Sequence, residues 1–267
     1  MKKLKYNEKT VVITGASSGI GKKLAELLIK KHSCRVYAIA RNQDRLDGAK
    51  SVLGENYIPY RMDATDKQEW THFKDFLEKS NTRVDILINC AGVLPEFKKL
   101  EKTSIDELES VLKINFLASV YSIKELMPLI NERGAVVNIS SASALCPFGG
   151  VSTYTSSKSA LDSFTVSLGC EYKNISVSSV LPGFVRTDIM KNQRLNEKEA
   201  KLIRSFSADA EKTARKILRR VARRKRRIIV GKDAHLMSFL YKFFPRLAPR
   251  LITKFLKKSG LELFNQI

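Results

Sequence analysis

The chain has 267 residues, 43% of them hydrophobic and 28% charged, a balance that fits one large domain with a full apolar core and excludes global disorder. Its formal net charge of +21 is lopsided, with +16 in residues 191–267 and +5 in the first 190, so a near-neutral body carries a C-terminal region suited to an anionic surface. Four dispersed cysteines without a C-x-x-C pair or a histidine cluster exclude a zinc site and a disulfide framework, and no run of about 18 apolar residues suggests a spanning helix.

In chain order, residues 1–10 carry lysines but no apolar stretch of the kind a secretory signal needs, and the fold is expected to start at once. Thr10–Thr14, Arg35–Ala40, Asn56–Arg61, Val84–Asn89, Ala135–Ser140 and Ile175–Leu181 read as strands. They are mostly continuous apolar runs, as expected when both sheet faces are covered. Ile20–Lys31, Asp66–Lys79, Ser104–Ile130 and Ser152–Tyr172 place apolar residues three and four apart and read as helices. The alternation predicts an α/β fold with one doubly wound, Rossmann-like parallel sheet. No internal repeat or low-complexity linker marks a second domain.

The run Thr14-Gly15-Ala16-Ser17-Ser18-Gly19-Ile20-Gly21 joins the first strand to the first helix. A glycine cluster alone is a tight turn. In this context its backbone N–H groups and the positive helix end can face a pyrophosphate, with the glycines allowing close approach. The spacing Gly15-x-x-x-Gly19-x-Gly21 differs from the general G-x-G-x-x-G fingerprint. At the end of the second strand, where an acid would accept ribose hydroxyls and repel a 2′-phosphate, the chain places Ala40 and Arg41. A guanidinium there pairs with a phosphate, and Ser17 can add a hydroxyl, so NADP(H) is the expected cofactor. A solvated surface arginine is the plain alternative.

Tyr154 and Lys158 lie four apart on a predicted helix and so share a face, where an ammonium can lower a neighbouring phenol's pKa toward working pH. A hydroxyl from Ser141 at a strand end would hold a carbonyl oxygen while the phenol exchanges the proton. The glycine run, Asn89-Cys90-Ala91-Gly92, Asn115, Ser141, the Tyr154/Lys158 pair and Pro182-Gly183 together resemble, in order and spacing, the short-chain dehydrogenase/reductase family over roughly residues 9–190. The resemblance is to NADP-preferring members with a basic amphipathic C-terminal extension. Cys90 departs from a pattern that commonly has asparagine there.

That resemblance implies catalysis by Asn115, Ser141, Tyr154 and Lys158. Tyr154 would donate the proton in reduction and Ser141 would orient the substrate oxygen. Lys158 would bind the nicotinamide ribose and lower the tyrosine pKa, and Asn115 would hold a water linking Lys158 to solvent. The cofactor would lie on Gly15, Ser17, Ser18, Gly19, Ile20, Gly21, Arg41, Asn89, Ala91 and Gly92. Asp63 resembles the adenine-contacting acid, and Asp63-Ala64-Thr65-Asp66 also reads as helix capping. In the loop Pro182–Thr187, Pro182 and Gly183 would fix the backbone, Val185 would meet the carboxamide and Thr187 would offer a hydroxyl. Family members pair through helices corresponding to Ser104–Ile130 and Ser152–Tyr172, which implies a homodimer or homotetramer. No metal site and no G-x-S-x-G hydrolase elbow accompany these motifs.

The tail adds Arg219–Arg227, in which six of the eight residues from Arg220 are Arg or Lys. A helix end feeding a last strand at Ile228-Ile229-Val230 accounts for part of this run. Beyond it, Leu236, Phe239, Leu240, Phe243, Phe244, Leu247, Leu251, Ile252, Phe255 and Leu256 repeat at helical spacing beside Lys242, Arg246, Arg250, Lys254 and Lys258. Pro245 and Pro249 interrupt the pattern. A broken amphipathic helix pair of this kind suits the plane of an anionic membrane, while its apolar face would equally cover a substrate pocket or a subunit interface. No nucleic-acid signature accompanies the charge, so specific nucleic-acid binding is not expected.

Residues 1–232 are thus read as a dinucleotide-binding catalytic domain and 233–267 as an extension packed on it or at a membrane surface. The expected protein is cytoplasmic, peripheral on a membrane if the tail docks there, and acts on a hydrophobic ketone or secondary alcohol of lipid or steroid type. A non-catalytic nucleotide-binding scaffold that uses its basic tail on membranes or other polyanions is the alternative.

Overall fold

The computed structural model describes residues 3–193, 196–259, 261 and 264, and within them the side chains of all but residues 191, 192, 198, 202, 204 and 206. Seven parallel strands form one sheet: β1 (Thr10–Thr14), β2 (Arg35–Ala40), β3 (Tyr57–Arg61), β4 (Val84–Asn89), β5 (Ile130–Ile139), β6 (Ser176–Pro182) and β7 (Arg227–Val230). Their order is β3-β2-β1-β4-β5-β6-β7. The order reverses between β1 and β4, so the loops after these two strands diverge and leave a crevice at their carboxyl ends.

Helices cover both faces, as the continuous apolar runs of the strands require. α1 (Gly19–His32), α2 (Gln43–Leu53) and α8 (Ala210–Ala222) flank one face, where Leu24, Leu28, Leu46, Ile217 and Val221 pack on Val11, Ile13 and Val36. α3 (Lys67–Lys79) lies on the other face. Trp70, Phe73 and Leu77, spaced three and four apart, are fully buried against Val12, Tyr37 and Ile39. Burying each side chain of that size is worth about 2–3 kcal/mol.

The long helix expected over Ser104–Ile130 is three pieces. α4 (Ile105–Leu112) runs into one π-helical turn at Lys113–Leu117 before α5 (Ala118–Leu126). The extra residue in that turn carries Asn115, fully buried. β5 begins five residues earlier than the apolar run, at Ile130, because the register shifts between Val84 and Ile86 of its neighbour and Arg133 takes φ +62° to absorb the shift. α2 was not foreseen; Asn42 caps it by accepting from Arg45 N at 2.8 Å, and Gly54 ends it.

α6 (Ser152–Glu171) carries Tyr154 and Lys158 on its buried side. After β6 come α7 (Glu197–Phe206), α8 and β7, then α9 (Lys232–Phe243) and α10 (Ala248–Lys258). The basic run is partly structural: Arg227 reaches Asp162 at 2.6 Å and Arg224 donates to the Arg133 carbonyl at 2.7 Å. α9 and α10 pack back on the sheet end through Ala234, Met237 and Ala248 against Leu145, Cys146 and Leu181. Among the described residues, no helix is long and apolar enough to cross a membrane.

Candidate active site

The turn after β1 is built by close approach. Thr14 Oγ1 accepts from the N–H groups of Cys90 (3.0 Å) and Ala91 (3.1 Å), locking the ends of β1 and β4 together. Gly15 has φ +69°, and a Cβ on it would lie 2.9 Å from Ala91 N. Gly19 has φ +51°, and a Cβ on Gly21 would collide with the Gly15 carbonyl. Only glycine fits these positions. α1 has no side-chain cap at Ser18, no acid in its first turn and Lys30, Lys31 and His32 in its last turn. Its first-turn N–H groups therefore face the crevice with the positive end of the helix dipole behind them.

A cavity of about 480 Å³ opens from this turn. Its walls include Gly15, Ser18, Gly19, Ile20, Gly21, Arg41, Ala91, Gly92, Ser141, Tyr154, Lys158, Pro182, Gly183, Val185 and Thr187. Most of the predicted site residues thus share one space. Ser17, Asp63, Asn89 and Asn115 are not on its wall.

Asn89 sits in a buried polar chain, donating to Asn138 Oδ1 (2.9 Å) and accepting from Ser122 (2.7 Å), while Asn138 donates to Thr165 (2.8 Å). Asp63 Oδ1 accepts from Thr65 N at 2.9 Å, and its Oδ2 lies 4.0 Å from Arg41. The helix cap nearby is Asp66, which accepts from Gln68 N.

Asn115 joins three elements. Its Oδ1 accepts from Val93 N (2.8 Å), and its Nδ2 donates to the Val93 carbonyl and to Ser157 Oγ, both at 3.0 Å. The π turn is what turns this amide inward between α4 and α5. A Cβ built on Gly92 would lie 3.1 Å from both Asn115 Oδ1 and Lys158 Nζ, so glycine keeps the space between the amide and the ammonium open.

Tyr154 is 9% exposed and Lys158 3%. Burial pushes the Tyr154 phenol above its ordinary pKa, and the neighbouring Ser141 hydroxyl works in the opposite direction. Burial pulls the Lys158 ammonium down from 10.5 to about 8. Lys158 Nζ donates to the Ile139 carbonyl at 3.0 Å. The direct ammonium–phenol contact that the i,i+4 spacing suggests is not formed: the residues share a face, and the lysine reaches past the tyrosine to the end of β5. Ser141 Oγ accepts from Ser143 N at 3.2 Å, which leaves its own proton to donate elsewhere.

Three residues of this site escaped the sequence reading. Arg45, in the first turn of α2, lines the cavity beside Arg41 and lies 3.3 Å from Asp188. Its signal was the second arginine four residues on, invisible without α2. Ser143 lines the cavity, and its buried hydroxyl has no hydrogen-bond partner among the described residues. Asp233, in the first turn of α9, accepts from Phe184 N at 2.7 Å, and a Cβ on Gly183 would collide with its carboxylate. That contact ties the tail to the Pro182–Thr187 loop.

A phosphate-binding turn, a tyrosine and lysine on one helix face, and a serine on the wall of the same cavity define a nucleotide-dependent oxidoreductase built on a Rossmann-like sheet. The chain belongs to the short-chain dehydrogenase family, whose model matches residues 9–198. It is 32% identical over 193 residues to a 3-oxoacyl-(acyl-carrier-protein) reductase of Buchnera aphidicola, covering 71% of this chain and 78% of that protein. It is 31% identical over 216 residues to 11-beta-hydroxysteroid dehydrogenase A of Sesamum indicum, covering 79% and 62% respectively. A short chain dehydrogenase/reductase from Burkholderia phymatum, solved in complex with NAD, shares the fold with a TM-score of 0.81 at 22% identity over 91% of this chain and 96% of that one.

Proposed function

We propose that this oxidoreductase uses NADP(H) to interconvert a ketone and a secondary alcohol on a hydrophobic substrate. The observation that carries the reading is Tyr154, a buried phenol on the wall of the same cavity as Ser141, Lys158 and the glycine turn.

The residues fit the dinucleotide. The first turn of α1 and the glycines would take the pyrophosphate, and Lys158 would take the nicotinamide ribose. Arg41 and Arg45 line the cavity past the end of β2 and would pair with a 2′-phosphate, and the end of β2 offers no carboxylate to ribose hydroxyls. Asp63 faces Arg41 at 4.0 Å across an exposed gap, an ion pair weak enough to yield to a phosphate.

When bound, the cofactor supplies or accepts the hydride at the carbonyl carbon. In reduction, Tyr154 transfers its proton to the carbonyl oxygen as charge develops there, and Ser141 donates a hydrogen bond to the same oxygen. A phenol held above its ordinary pKa stays protonated at neutral pH, as a donor must. Lys158 lies behind it with a pKa of about 8, able to hold or pass a proton near neutrality.

The far end of the cavity is lined by Leu94, Phe97, Phe148, Val151, Ile189 and Met237, so the substrate beyond its carbonyl is apolar. The relatives' names, a 3-oxoacyl reductase and an 11-beta-hydroxysteroid dehydrogenase, agree with that class. The test is oxidation of NADPH and of NADH by the purified chain over acyl, steroid and sphingoid ketones. Turnover with NADPH on at least one apolar ketone, and weaker turnover with NADH, supports the reading. Equal use of both cofactors overturns the NADP(H) assignment, and activity confined to small polar ketones overturns the substrate class.

A further inference from the structure

α9, α10 and the link between them present an apolar face that none of the described residues covers. Leu236, Phe239, Phe243, Phe244, Leu247, Leu251 and Phe255 are each about half exposed or more, up to 70% at Phe255. They are seven of the twelve large hydrophobic side chains exposed among the described residues, so this is a patch rather than the usual scatter. The opposite sides of the two helices are spent on the fold: Ala234, Met237 and Ala248 are buried, and Thr253 accepts from Gly149 N at 2.9 Å. The exposed face is therefore held in place, not loosely attached.

Cations border it. Lys242, Arg246, Arg250, Lys254, Lys257 and Lys258 lie along the hairpin, and among the described residues none has a salt-bridge partner. In residues 232–258 the one acid is Asp233, whose carboxylate is already bonded to Phe184 N. On α10, Leu247, Leu251 and Phe255 make one stripe, and Lys254, Lys258 and Arg250 follow on its flank.

Arg250, Lys254 and Lys257 also line a shallow groove between α10 and the first turn of α6. Thr155 of that groove is 8% exposed, and its hydroxyl has no partner among the described residues. Phe148 lines both this groove and the catalytic cavity.

We propose that the α9–α10 hairpin is a membrane-docking surface, with its aromatic and aliphatic face entering the headgroup layer of an anionic lipid bilayer and its cations meeting lipid phosphates. Apolar side chains flanked by cations along one helix face are what an interfacial helix needs. A second copy stacked face to face would oppose like-charged flanks. Nucleic acid would satisfy the cations and leave seven large apolar side chains in water. Docking in this way would bring the Phe148 side of the catalytic cavity close to the bilayer. That consequence rests on the proposed apolar substrate, whereas docking itself does not.

Co-sedimentation of the full chain with vesicles tests the proposal without any activity readout. The chain should pellet with phosphatidylcholine–phosphatidylglycerol vesicles and remain in the supernatant with phosphatidylcholine alone. High salt should release it. The triple variant Arg250→Gln, Lys254→Gln and Lys258→Gln should lose on the order of 100-fold in partition onto the anionic vesicles, about fivefold for each cation removed. The pair Phe243→Ser and Phe255→Ser should lose at least about tenfold. Both variants change exposed side chains, and circular dichroism should show them folded.

Partition that is absent, or equal on neutral vesicles, would overturn the proposal. So would duplex DNA binding that competes with the vesicles and survives the aromatic substitutions, which would show a general polyanion surface. Self-association abolished by Phe243→Ser and Phe255→Ser would overturn it by showing that a second copy covers the face.

Discussion

Replacing Lys158 by Met should make the protein more stable at neutral pH while reducing its turnover. The ammonium is 3% exposed, and burial lowers its pKa from 10.5 to about 8. That gap corresponds to roughly 3 kcal/mol spent at pH 7 to keep the buried amine charged. Methionine has a similar length and needs no charge. It leaves the Ile139 carbonyl without its donor, a loss of about 1 kcal/mol. The net expectation is a stabilisation of roughly 2 kcal/mol at pH 7.

The sign can be checked by pH. Between about 8 and 10.5 the unfolded chain binds a proton at Lys158 that the folded chain does not, so wild-type stability rises with pH through that window. The advantage of Lys158→Met is therefore full below pH 8 and shrinks to near zero around pH 10. Urea titrations of both proteins at the two ends of the window read the difference directly, and groups common to both cancel. A destabilised variant at pH 7, or an advantage that does not change with pH, would refute the reasoning.

Arg41→Ser combined with Arg45→Ser should raise the KM for NADPH by about 10–100-fold and leave that for NADH nearly unchanged, because the two guanidiniums have no phosphate to meet in NADH. Gly21→Ala should abolish cofactor binding in a fluorescence titration, since the added methyl collides with the Gly15 carbonyl and forces the phosphate turn open. Asp233→Ala should raise the KM for cofactor by about tenfold with a smaller change in kcat, because Phe184 N loses its acceptor and the Pro182–Thr187 loop loosens.

What could be read from sequence was set by local physics. β1, β2 and β4 fall where continuous apolar runs place them, since a strand buried on both faces needs no alternation. The glycine turn was legible because a backbone packed against Ala91 excludes any side chain. α2 was not, because its apolar face is only Leu46, Ala49 and Leu53, and Arg45 was lost with it. The π turn leaves the helical periodicity on either side almost intact, so Asn115 could be singled out but not the elements it joins. Lys158 could be placed on a face with Tyr154 from spacing alone. Its choice of the Ile139 carbonyl depends on where β5 ends, which is tertiary. Asp233 met Gly183 only through the return of α9 to the sheet.

The most direct test compares wild type with Tyr154→Phe on an apolar ketone, following loss of reduced nicotinamide absorbance in one assay and NADPH binding by fluorescence in another. The phenylalanine keeps the ring and removes the one proton that the account assigns to the carbonyl oxygen. Turnover should fall by about 10²–10⁴-fold with NADPH affinity unchanged. Turnover close to wild type would contradict the account at its centre.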